Sequence, residues 1–110
     1  MVYKLSQYID RRGISPLAQW LRRLRDPRGK AAIIRRLNRL ELGQLGDHKP
    51  CREGVWELRV DVGPGYRIYY ARAGQSILLL LCGGSKRHQH RDIELALTYW
   101  QDWQDQEKDS

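Results

Sequence analysis

The chain has 110 residues, a net charge of +7 and 41% hydrophobic residues. That is enough apolar matter for one buried core. It is too short for a second cofactor domain or for a barrel of eight βα units, which takes roughly 200 residues or more. The charge is uneven. Residues 102–110 hold Asp102, Asp105, Glu107 and Asp109 against Lys108 alone, so residues 1–101 carry +10. Most of the 20 basic side chains are arginine, whose planar fork suits phosphate and carboxylate. A polyanion or an acidic protein partner is expected.

Two cysteines, Cys51 and Cys82, make no disulfide framework in a chain of this size. Cys82 ends an apolar run and reads as a reduced core residue. Three histidines without a CxxC pair assemble no zinc site, and no metal or cofactor is expected. The opening MVYKLSQYIDRRG lacks the apolar stretch of a secretion signal. The aliphatic run Ile77 to Leu81 is too short to cross a bilayer. A reducing cytoplasm is the expected location, with no membrane contact.

The elements follow in chain order. Val2 to Tyr8 reads as an opening strand, broken at Arg12-Gly13. Ser15-Pro16 supplies an N-cap and a proline at the first helical position. Leu17, Trp20, Leu21 and Leu24 then form one apolar helix stripe. Asp26-Pro27 repeats the start signal for a second helix. Its buried stripe is expected to be Ile33, Ile34, Leu37 and Leu40, with Arg35, Arg36 and Arg39 on the other side. Gly43 and Gly46 end it. So short a joint predicts an antiparallel helix hairpin.

Residues 45–54 read as a polar loop. The period then switches to two: Trp56, Leu58, Val60 and Val62 alternate with Glu57, Arg59 and Asp61, a half-buried strand. Gly63-Pro64-Gly65 is a turn, and Tyr66 to Ala73 returns. With Val62 opposite Tyr66, Arg67 would oppose Asp61 and Tyr69 would oppose Arg59, all on the polar face. Gln75 to Cys82 contains ILLLL and is expected to be a central strand, apolar on both faces. A basic loop, GGSKRHQHRD, leads to a last helix from about Arg91 to Trp103, with Ile93, Ala96, Leu97 and Trp100 inside. The expected fold class is α+β: one domain over residues 1–101, ordered β-α-α-β-β-β-α, with an antiparallel sheet packed on the helix hairpin. The acidic tail, 102–110, is expected to fray.

Five segments together carry a resemblance: WLRRLRD (20–26), IIRRLNRLELGQLGD (33–47), GVWELRVDVGPGYRIYY (54–70), LLLLCGGSKRHQ (79–89) and DIELA (92–96). In this order the chain resembles the RelE/ParE superfamily of bacterial type II toxins, and within it the HigB-like addiction module killer proteins. The resemblance covers about residues 15–97. It implies a toxin paired with a small helix-turn-helix antitoxin in a hetero-oligomeric complex. Many such toxins are mRNA endoribonucleases acting in the ribosomal A site; the ParE-like branch instead inhibits DNA gyrase by binding it.

Metal-free RNA cleavage needs a base for the 2′-OH, a cation for the phosphate and an acid for the leaving 5′ oxygen. Arg67 matches the arginine of the family's glycine-tyrosine-arginine signature, which implies contact with the reacting phosphate. A salt bridge to Asp61 is the plainer role. Lys86 and Arg87 match the basic pair after the last strand, where the alternative is a solvated turn. Lys86 and His88 complete the expected catalytic set with Arg67. His88 and His90 are of the one side-chain type that ordinarily changes charge near neutral pH, though exposed loop histidines are often idle. Lys49, Arg59, Tyr69, Arg87 and His90 are expected to contact RNA or ribosome, Tyr69 by stacking on a base. Two positions depart from the best-known ribosome-dependent relatives: Glu57 stands where they carry lysine, and Ile93 where they carry tyrosine. Glu57 reads as a surface carboxylate paired across strands, or else as a replacement base.

Overall fold

The computed structural model describes residues 2–109. Its elements are β1 (Lys4–Gln7), α1 (Pro16–Arg23), α2 (Pro27–Glu41), β2 (His48–Arg52), β3 (Val55–Val60), β4 (Tyr66–Arg72), β5 (Ile77–Ser85) and α3 (Gln89–Lys108), with a 3₁₀ turn at Lys86–His88. The expected α+β order holds, with one strand added. The sheet order is β1-β5-β4-β3-β2. β1 runs parallel to β5 and all other pairs are antiparallel. The sheet is therefore mixed. Parallel neighbours need a long connection, and here everything from α1 to β4 lies between them.

Both helix starts behave as their sequences dictate. The Ser15 hydroxyl accepts from the Ala18 N–H at 3.1 Å, and Asp26 accepts from the Gly29 N–H at 3.0 Å. Each cap contributes about 1 kcal/mol. Strand alternation then builds three layers. Leu58, Val60, Ile68, Tyr70 and Leu80 pack beneath α1 and α2 with Leu17, Ile33 and Leu40. Val55, Tyr69, Ala71, Leu79 and Leu81 pack on the opposite face beneath Ile93, Ala96, Leu97 and Trp100 of α3. β5 is apolar on both faces because both are covered.

Four local expectations are corrected. Residues 45–54 are not all loop, because β2 lies within them. Glu53 and Gly54 both have positive φ, 52° and 88°, and Arg52 pairs with Val55. That is the two-residue turn that suits a hairpin's twist. β2 is an edge strand, and Pro50, Lys49 and Arg52 guard that edge against further pairing.

The β3–β4 register also differs. Val60 pairs with Tyr66, Arg59 with Arg67, and Glu57 with Tyr69. The connection is five residues, because the Val62 N–H bonds back to the Val60 carbonyl and the Gly65 N–H to the Val62 carbonyl, both at 3.0 Å. The Tyr66 hydroxyl donates to Asp26 at 2.5 Å and anchors the start of β4 to the α2 cap. Arg67 consequently does not face Asp61.

On α2, Ile34 is 47% exposed. Arg36 turns inward instead, donating to the carbonyls of Arg59 and Leu45. Finally, α3 runs past Trp103 to Lys108. Trp103 stacks on Trp100 at 5.5 Å, and the Tyr8 hydroxyl donates to Asp102 at 2.5 Å.

Candidate active site around Glu57

Glu57, Arg59, Arg67 and Tyr69 alternate onto the face that α3 covers. The body of α3 lies over Tyr69 and its apolar neighbours. Its first turn stops beside Glu57, where the Gln89 side-chain amide donates to Oε2 at 3.1 Å. Glu57 is 0% exposed and three cations surround it. Arg67 Nε lies 3.6 Å from Oε2, Lys49 Nζ 3.7 Å from Oε1, and Arg59 Nη1 4.0 Å from Oε1. One buried carboxylate thus holds three positive groups at ion-pair range. Neither Glu57 Oε1 nor Arg67 Nε has a hydrogen-bond partner among the described residues. The cluster thus keeps unmet hydrogen-bonding capacity.

Arg67 is 8% exposed, and its Nη1 donates to the Tyr66 carbonyl at 3.2 Å. The Lys86 N–H bonds to the Gly65 carbonyl at 2.9 Å. A side chain begun at Gly65 would stand 3.5 Å from the Lys86 stem and 4.0 Å from Arg67 Nη1. The missing side chain at Gly65 therefore leaves the Arg67 guanidinium and Lys86 sharing one space. A cavity of about 250 Å³ opens over Glu57, with Lys49, Cys51, Gln89 and His90 on its walls. Burial pushes the Cys51 thiol up to about 11, so it is no nucleophile at neutral pH. A larger cavity of about 380 Å³ lies between Tyr3, His48, Trp56 and Tyr70. Its lining holds no carboxylate and pairs no acid with a base.

The structure thus brings Lys49, Arg59 and Arg67 together on Glu57, sets Lys86 beside Arg67, and puts His90 in the same cavity. Arg87 and His88 are exposed on the 3₁₀ turn. His88 takes the N-cap position of α3 without a side-chain cap bond. Its ring is therefore not committed to the helix.

Tyr69 is corrected. It is 0% exposed under α3 and cannot stack on a base. Its hydroxyl has no hydrogen-bond partner among the described residues, and burial, then Glu57 and Asp92, push its pKa up. Glu57 is not a surface carboxylate either: it is the centre of the cluster. Gln89 was hidden because the last helix starts two residues earlier than its apolar pattern suggests. Among the described residues no group of three or more His, Cys, Asp or Glu could hold a metal ion, and no helix is long and apolar enough to cross a membrane.

Asp92, in the first turn of α3, is 3% exposed. Arg91 pairs with its Oδ1 at 3.3 Å, while Oδ2 has no partner among the described residues. Burial raises its pKa, with Arg91 acting the other way. A carboxyl raised in the folded state stabilises the fold fully below its unfolded pKa, near 3.8, and loses that contribution as pH rises through the folded value. Asp92→Asn is expected to remove this loss. Urea denaturation across acid to neutral pH should show the variant gaining on the wild type as pH rises. An equal difference at every pH would refute the assignment.

The family model of the phage-derived Gp49-like proteins (DUF891) matches residues 19–101. The chain belongs to this family. It is also 44% identical over 77 residues to an uncharacterized protein of Haemophilus influenzae, covering 70% of this chain and 78% of that one. The Gp49-like match runs from α1 well into α3. It contains Glu57, Arg59, Arg67, Lys86 and Gln89, and leaves β1 outside.

Proposed function

We propose that this Gp49-like protein is the toxin of a toxin–antitoxin pair and cuts mRNA on the ribosome by side-chain chemistry. The observation that carries the reading is the buried Glu57, ringed by three cations and lining an open cavity, with Lys86 beside Arg67. Glu57 takes the proton of the 2′-OH, whose oxygen then attacks the adjacent phosphorus. Arg67 and Lys86 hold the extra negative charge that develops on the phosphate oxygens. The 5′ oxygen leaves with a proton from a histidine, His90 on the cavity wall or His88 on the adjoining 3₁₀ turn. The products are a 2′,3′-cyclic phosphate and a free 5′-OH. Arg59 and Lys49 hold Glu57 in place, and with Arg87 they attract the strand.

The resemblance to RelE/ParE toxins supports the same reading. It adds a helix-turn-helix antitoxin in a hetero-oligomeric complex and a cytoplasmic site of action. The test is induction in a bacterial host, with and without the neighbouring gene, while mRNA 5′ ends are mapped. New ends that require translation, relieved by the neighbour, are the expected result. Growth arrest with intact mRNA would overturn the ribonuclease reading and move the target to a protein, as in the gyrase-binding branch.

A further inference from the structure

Residues 16–41 hold eight basic side chains against Asp26 and Glu41, a surplus of six in a chain whose net charge is +7. Residues 16–41 therefore carry six of the ten net positive charges of residues 1–101. On the α3 side these cations lie within ion-pair range of a carboxylate: Lys49, Arg59 and Arg67 around Glu57, Arg52 at Glu94, and Arg91 at Asp92. On α2 this is not so. Arg28, Arg35 and Arg39 are exposed, and none lies within ion-pair distance of a carboxylate of the described residues.

Their spacing makes them a row. Steps of seven and four residues return to nearly the same side of a helix, so the three guanidinium groups line one stripe, about 10 Å and then about 6 Å apart along the axis. Ala31 and Asn38, small and exposed, flank the row and keep it open. The row points away from the core, since α2 buries Ala32, Ile33 and Leu40. It lies across the sheet from Glu57, in a molecule whose shortest dimension is 24 Å.

We infer that this stripe of α2 is a second RNA contact, one that grips the phosphate backbone of a duplex on the side of the sheet opposite the Glu57 cluster. Arginine forks match phosphate. A rigid row of fixed spacing suits a backbone whose phosphates are themselves fixed. A protein partner would call for an apolar or aromatic anchor at the centre of the contact, whereas the exposed Ile34 of α2 lies off the stripe, about 100° round the helix from Arg35. The choice of RNA over DNA rests on the proposed ribonuclease reading.

The test measures binding of the full-length protein to a short RNA duplex of mixed sequence, and to the DNA duplex of the same sequence, over a range of salt. The triple variant Arg28→Gln, Arg35→Gln, Arg39→Gln should bind the RNA duplex at least tenfold more weakly at low salt. Its plot of log affinity against log salt should be shallower by about 2 to 3, since each lost phosphate contact removes about 0.9 from the slope on duplex. Its melting temperature should be unchanged, because all three side chains are exposed. Lys108→Gln, which removes an exposed cation near the end of α3, should bind the duplex like the wild type. A triple variant with wild-type affinity and slope overturns the inference, as does a DNA duplex bound as tightly as the RNA. So does a variant that loses only the antitoxin. Cleavage is read separately: a wild-type protein that prefers the RNA duplex through α2 but cuts nothing supports this surface while removing the ribonuclease reading.

Discussion

Arg67→Ala is expected to lower RNA cleavage by roughly 10²–10³-fold, the usual cost of losing one group aimed at developing charge. Arg67 is the cation of the cluster that both touches Glu57 and borders Lys86. Its loss leaves Glu57 with Lys49 and Arg59 at 3.7 and 4.0 Å, so the buried carboxylate stays compensated and the fold should survive. The reverse deletion is less clean. Glu57→Ala strands Arg67 in a buried site, and breaking a buried pair from one side costs about 3–5 kcal/mol. Arg67→Lys should fall between wild type and alanine, because an ammonium restores the charge but not the fork. The measurement is the rate of translation-coupled mRNA cleavage beside a thermal melt. A correctly folded Arg67→Ala protein cutting at the wild-type rate would remove Arg67 from the site.

A large expected effect on stability also comes from a single methyl group. A Cβ at Gly84 would overlap the Asp92 carboxyl, standing 2.8 Å from Cγ. Backbone of β5 lies on one side and α3 on the other, so neither can yield cheaply. Gly84→Ala is expected to cost about 3 kcal/mol, which lowers Tm by more than about 10 °C in a domain of this size. Gly74→Ala is the control, because its new methyl would meet only the Ile77 side chain at ordinary contact distance, 3.5 Å. Adding Asp92→Ala to Gly84→Ala should restore much of the loss, since the carboxyl is what the methyl strikes. Additive losses in the double variant would show that the clash lies elsewhere.

What was legible in the sequence was what neighbouring residues decide. Ser15-Pro16 and Asp26-Pro27 mark two helix starts without help from the rest of the chain. ILLLL can only be a strand covered on both sides. The failures share a cause: each is settled by a partner far away in sequence. The register of β4 depends on Tyr66 reaching Asp26, 40 residues earlier. Pro50 and the charges around it conceal β2, whose strand character comes from the turn at Glu53-Gly54 and from pairing with β3. The site shows the same division. Arg67, Arg59 and Lys49 were identifiable by type and place. The burial of Glu57 and Tyr69 was not, because it is imposed by where α3 comes down on the sheet.

β1 closes against β5: Lys4 pairs with Ile77, and Tyr8 hydrogen-bonds to Asp102 near the end of α3. During synthesis β1 emerges well before β5, and that strand stays without its neighbour until β5 has followed it out of the exit tunnel. Pairing between such distant segments raises contact order and slows folding. The native arrangement is therefore reached only after β5 and α3 have been released. Glu57, Arg67 and Gln89, which come from β3, β4 and α3, converge only at that late stage, so a truncated product of the gene would carry the residues of the cluster without their arrangement.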